Sequence, residues 1–107
     1  FVAQSTPAKP PEEVKAVLPD HLAYQAELER AGKLAFAGPL SDETGEEMQA
    51  MGMIVYRAET MEDAQALADA DPMHKTGART YVMRRWLINE GTFSLSVGLS
   101  TGGLSFR

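Results

Sequence analysis

The stretch TMEDAQALADADPMHKTGARTYVMRRW, residues 60–86, decides the fold, because it holds a helix, its stop and the strand that follows. Thr60 followed by Asp63 is a capping-box-like start, in which a hydroxyl accepts a hydrogen bond from the first turn. Met61, Ala64, Leu67 and Ala68 recur at helical spacing and form one narrow apolar stripe. The small alanines allow close approach to a sheet. Pro72 disfavours helical dihedrals at Asp71, so this helix is expected to stop by Ala70. From Arg79 to Asn89 the pattern alternates with period two, as a strand requires.

Outward from this unit the same logic reads the rest of the chain. KLAFAGPL (33–40) and AMGMIVYRA (50–58) are expected strands, paired as a hairpin across the acidic connection SDETGEEMQ. EEVKAVLPDHLAYQAELERAG (12–32) is helical by composition, but Pro19 divides it. A proline is tolerated in a first turn, so the expectation is a short turn up to Leu18 and a main helix from Pro19 to Ala31, closed by Gly32. Residues 1–5 read as a strand, and STPAKPPEE (5–13), with three prolines, as a loop. Downstream, Glu90-Gly91 marks a tight turn into a strand at TFSLSVGL (92–99). STGGLSFR (100–107) adds a turn and a short terminal strand.

The order is β-α-β-β-α-β with an extra C-terminal β arm at 89–107, within one domain spanning 1–107. That is the α+β, ferredoxin-like arrangement: an antiparallel sheet with helices on one face. The other face must then be covered. Phe93, Leu95, Val97 and Leu99 form an apolar strand that a second copy could use, so a homodimer packed sheet against sheet is expected.

Composition restricts the function classes. There is no cysteine, which excludes thiolate chemistry, disulfides and cysteine-based zinc sites, and is compatible with a reducing cytoplasm. Net charge is −5, a field that repels phosphate backbones, so nucleic acid is not an expected partner. No apolar run approaches the ~20 residues of a membrane span, and FVAQS is too short and polar for a signal peptide. Phe1 is not a natural start, so residues are expected ahead of it. No glycine-rich phosphate loop and no G-x-S-x-G element occurs, and no cofactor is called for. His21 and His74 lie in different elements without ligand spacing, so a metal site with an added acid is the less favoured use of them.

The residues that carry chemistry are few. His21 falls on the apolar arc of its helix, between Tyr24 and Leu28 on one side and Leu18 and Leu22 on the other, near the start of the main helix. An inward imidazole needs a partner for its N–H. It is either a helix-surface or partly buried histidine bonded to backbone or a general acid/base. Asp71 reads as a turn acid whose side chain caps a loop N–H before Pro72. His74 is an exposed loop residue or a pocket-rim residue. Arg79, Arg84 and Arg85 form a local basic strand that either binds a small anion or pairs with the chain's acids, and Arg84 or Arg85 is the candidate to reach a substrate carboxylate.

HLAYQAELERAGKLAFAGPL (21–40), MEDAQALADADPMHKTGA (61–78) and VMRRW (82–86) together resemble the YCII-related (YciI-like) family, over most of residues 1–89. The resemblance implies a ferredoxin-like, dimeric α/β-barrel fold. It implies that His21 and Asp71 form an active-site pair and that Gly38 and Pro39 line the same pocket, with His74 and Arg85 as further candidates for binding substrate. It also implies kinship with dehydrochlorinases of chlorinated hydroxyquinone breakdown, while the wider fold includes muconolactone isomerases and small monooxygenases. The 89–107 arm departs from the shortest members. Two readings follow: a metal-independent enzyme using a His-Asp pair for elimination or isomerisation of a small, aromatic-derived molecule, or a non-catalytic small-molecule-binding or stress-associated dimer.

Overall fold

The computed structural model describes residues 1–48 and 51–106. The expected start of the second hairpin strand at Ala50, the end of the acidic connection at Gln49 and the terminal Arg107 lie outside the described residues. The elements run β1 (Val2–Pro7), α1 (Pro11–Arg30), β2 (Leu34–Leu40), β3 (Met51–Tyr56), α2 (Met61–Asp69), α3 (Pro72–Lys75), β4 (Arg79–Arg84), β5 (Leu95–Val97) and β6 (Leu104–Phe106). The main sheet has the order β2-β3-β1-β4, every pair antiparallel. This is the ferredoxin-like arrangement.

Register sorts the two faces. Ala3, Ile54 and Met83 stand side by side, as do Ser5, Gly52 and Tyr81 one step along. Successive side chains alternate, so these point toward the helices. There Ala3, Ile54 and Tyr56 meet Leu28 of α1 and Ala68 of α2, with Tyr24, Leu34 and Leu67 around them. Ala64 and Ala68 are fully buried, as their small size on the α2 stripe requires. Thr60 caps α2 through its side chain, which accepts from the Asp63 N–H at 3.0 Å.

Four expectations are corrected. First, α1 is one helix of 20 residues that runs through Pro19. The proline removes the bond to the Lys15 carbonyl, but both residues are exposed, so water satisfies the freed acceptor. Helix start falls to Pro11, in the first turn where a missing N–H costs nothing. His21 consequently sits mid-helix, away from the helix terminus. The expected end is right: Gly32 takes φ +74° just past the Ala31 cap.

Second, β1 extends to Pro7, the last position, where β3 no longer pairs. Third, β4 stops at Arg84, because its ladder partner β1 begins at Val2, opposite it. Fourth, the arm does not turn back onto β4 at Glu90-Gly91. β5 pairs only with β6, in a separate two-stranded ribbon whose turn is closed by Gly98 N–H to Gly103 O (2.7 Å).

Among the buried side-chain atoms of the described residues, the Tyr56 hydroxyl has no hydrogen-bond partner. Burial, then the nearby Asp71 carboxylate, pushes its pKa far up, so it stays a neutral phenol. An unmet buried hydroxyl carries its desolvation cost without return. Tyr56→Phe is therefore expected to stabilise the fold by about 1 kcal/mol, read as a higher urea midpoint at unchanged slope. A loss of stability would mean that the hydroxyl is bonded in solution.

Candidate active site

The site is assembled around Asp71. Pro72 holds Asp71 extended (φ −64°, ψ 126°) and at the same time begins α3, so Asp71 becomes the N-cap of that short helix. Its Oδ1 accepts from the Met73 N–H at 2.9 Å. The residue is fully buried, at 0% exposure. A buried carboxylate without a partner is strongly disfavoured, and α1 supplies one. His21 Nδ1 lies 2.8 Å from both Asp71 Oδ1 and Oδ2. An ionised carboxylate can only accept, so Nδ1 carries the proton and the neutral ring keeps a lone pair on Nε2. His21 retains 16% side-chain exposure, on the side of a cleft that it lines.

The surroundings are aromatic. Tyr24, three residues after His21, donates its hydroxyl to the Leu67 carbonyl at 2.6 Å. Burial, then the Asp71 charge, raises its pKa. Tyr81, raised to about 12 chiefly by burial and then by its bond to Asp69, donates to that carboxylate at 2.6 Å. Tyr24, Tyr56 and Tyr81 therefore stay neutral phenols rather than competing bases, with Tyr24 and Tyr81 as donors.

The cleft, of about 1220 Å³, opens between the first half of α1 and the sheet. Only the second half of α1 is packed on the core, through Leu28. Leu18 and Leu22 face the gap instead of filling it, and Met53 and Ile54 lie among the residues of its sheet wall.

The structure places the sequence-predicted residues as follows. His21 and Asp71, 50 positions apart, are in contact. Gly38 and Pro39 are on the cleft rim, in the edge strand β2 where a proline disrupts no second ladder. His74 is neither an exposed loop residue nor part of the cleft lining. Its Nδ1 donates to the Ala68 carbonyl (2.8 Å), its Nε2 accepts from Ser5 Oγ (2.9 Å), and its ring packs on Tyr81 at 4.7 Å. Arg85 is also away from the cleft lining, with its guanidinium 5.5 Å over the Phe1 ring. Arg84 bonds the Gln4 side chain on the outer face.

Among the lining residues, Ser5 is not a sequence candidate, and Arg79 reads in sequence only as one member of a basic strand. Arg79 Nε donates to Ser5 Oγ (3.0 Å) and its Nη2 to the Ser5 carbonyl (2.7 Å). The signal was in the strand parity, since Arg79 shares the inward face with Tyr81 and Met83. Among the described residues no three His, Asp or Glu side chains converge as a metal-binding group, and no helix is long and apolar enough to cross a membrane.

A two-layer α+β domain with a histidine–carboxylate pair at the mouth of an apolar cleft is the class of protein that this geometry defines. The sequence matches the YCII-related domain over residues 1–87, and the chain belongs to that family. No curated protein matches it. Among solved structures it is similar to 5-chloro-2-hydroxyhydroquinone dehydrochlorinase (TftG) from Burkholderia phenoliruptrix AC1100, in complex with 2,5-dihydroxybenzoquinone. The TM-score is 0.57 at 20% identity, over 83% of this chain and 96% of that one, a likeness of fold.

The geometry makes a tautomer prediction. In Asp71→Asn the amide oxygen keeps the Met73 N–H, which turns the amide N–H toward His21 Nδ1. The imidazole proton should then move to Nε2, visible as exchanged ring-nitrogen shifts in long-range ¹H–¹⁵N spectra. Unchanged shifts would contradict the assigned hydrogen bond.

Proposed function

We propose that this chain is a small acid–base enzyme in which His21 moves a proton on a compact organic molecule held in the cleft. The observation that carries this reading is the buried Asp71 carboxylate bonded to His21 Nδ1, which leaves the Nε2 lone pair of a cavity-lining imidazole for chemistry. Asp71 fixes the tautomer and ring orientation and stabilises the imidazolium that forms, as carboxylates do in other His-Asp pairs. His21 takes a proton from a carbon or hydroxyl of the substrate. The electron pair left behind forms a new double bond. In elimination it expels a leaving group, such as chloride, from the adjacent position; in isomerisation the proton returns at another carbon.

The family and its fold-level likeness to a dehydrochlorinase favour elimination from a hydroxylated, halogenated ring. Chloride release from 5-chloro-2-hydroxyhydroquinone and related halogenated hydroquinones is the assay. With any substrate so found, His21→Gln is expected to lower kcat by about a hundredfold or more, with KM little changed. Full turnover by that variant would remove His21 from the mechanism.

A second reading is a non-catalytic ligand-binding dimer in which the pair is a structural tie. It is favoured by the double use of Asp71, which both caps α3 and anchors α1. Here His21→Gln would chiefly lower stability, leaving ligand affinity intact.

We further propose a homodimer formed through the outer sheet face. Phe36 (72% exposed) and Val82 (54%) lie there, on β2 and β4, and Trp86 and Leu87 follow β4 with similar exposure. Such area is seldom left to water by a monomer. Phe36→Glu is expected to shift the sedimentation coefficient from dimer to monomer; a monomeric wild-type protein would refute the proposal.

A further inference from the structure

We propose that the cleft selects organic anions and that Arg79 holds the ligand's anionic group. The inference deepens the acid–base reading, on which it rests for the location of the site. Three observations carry it.

The first is a separation of charge. The chain has 15 acids against 10 Lys and Arg and a net charge of −5. Yet Lys9, Lys15 and Arg79 line the cleft, with His21, and among the described residues no aspartate or glutamate does. Asp71, beneath His21, is turned wholly to its own hydrogen bonds. An acidic molecule has thus concentrated cations around this cavity, where low-dielectric walls strengthen their field.

The second is the way Arg79 is held. Its Nε and Nη2 are fixed by the Ser5 side chain and carbonyl. Ser5, itself 2% exposed, passes its own proton to His74 Nε2, and His74 Nδ1 is fixed by Ala68 O. The Ala68 carbonyl and the guanidinium fix the two ends of this chain. With a neutral His74 ring the Ser5 proton runs the same way, so the guanidinium is oriented before any ligand arrives. His74 acts here as a positioning residue for Arg79 through Ser5. Gly52 leaves the floor open beneath it: a Cβ there would stand 3.7 Å from Arg79 Nη2. Two of the five guanidinium N–H groups are used, and the fork suits a carboxylate or phenolate oxygen.

The third is that Arg79 has no carboxylate partner. Among the described residues the His21–Asp71 contact is the ion pair found, and Arg79 is not in it. Burial disfavours the charge of Arg79, opposed by the more distant pull of Asp71. A half-buried cation without a counter-ion is costly, and a ligand anion would relieve that cost. The remaining walls, Leu18, Leu22 and Ile54 among them, suit an apolar ring. The ligand class is therefore an aromatic or similarly apolar body bearing a carboxylate or phenolate. With that group at Arg79, the rest of the molecule lies along the cleft that His21 shares.

The test compares benzoate with its neutral isostere benzamide by NMR titration of the wild-type protein. Benzoate is expected to bind at least about tenfold more tightly and to shift the Arg79 Nε–H resonance, which benzamide leaves in place. Arg79→Gln should bind both equally, and Arg79→Lys should keep part of the preference. His21→Gln should keep the preference in full, which separates this proposal from the proton-transfer reading. Equal binding of the two probes by wild type, binding of neither, or an undiminished preference in Arg79→Gln would each overturn it.

Discussion

The carboxylate of Asp71 is the constraint on which the rest of the site depends. It is fully buried, and an ionised group there must have its acceptor capacity met by protein donors. One donor is local: the Met73 N–H, delivered by the turn that Pro72 creates. The other comes from 50 positions away, when α1 presents His21. The same contact therefore ties the α2–α3 corner to α1 and sets which imidazole nitrogen is left for chemistry. Breaking it would disturb packing and reactivity together.

The cleft follows from how α1 is used. Its second half contributes Tyr24 and Leu28 to the core, whereas Leu18 and Leu22 in and near the first half stay half-exposed over a gap. His21 marks the transition between the two. An apolar helix face that does not close on its sheet leaves room for an apolar ligand, and the edge strand β2 brings Gly38 and Pro39 to the far rim. β5 and β6 form their own ribbon rather than extending the main sheet. The outer face with Phe36 and Val82 thus remains open within one chain, which is the physical basis for expecting a second copy there.

Polar residues inside this fold are arranged as directional chains. Arg79 to Ser5 to His74 to Ala68 is one; His21 to Asp71, with Met73 as second donor, is the other. Both satisfy groups that burial would otherwise penalise, and both leave one functional atom set over for the cleft: Nε2 of His21 and the remaining N–H groups of Arg79.

Much of this was legible in the residues themselves. Period-two and period-3.6 patterns located the strands of the main sheet and both long helices, Thr60 marked the start of α2, and Gly32 the end of α1. The His21–Asp71 pairing came from the family resemblance, because each residue alone had a routine explanation: a turn acid before proline and a histidine bonded to backbone. What the chain could not disclose depended on neighbours far away in sequence. Pro19 is harmless because its freed carbonyl faces water, β4 is short because β1 offers it no partner beyond Val2, and β5 finds β6 rather than β4. Likewise His74 faces Ser5 and Arg85 lies over Phe1, while Arg79 reaches the cleft through strand register. Local periodicity and turn chemistry determined which elements form and which residues seek partners. Tertiary packing decided which partners they meet, because burial, pairing and charge environment are properties of the assembled sheet and helices, not of any one segment.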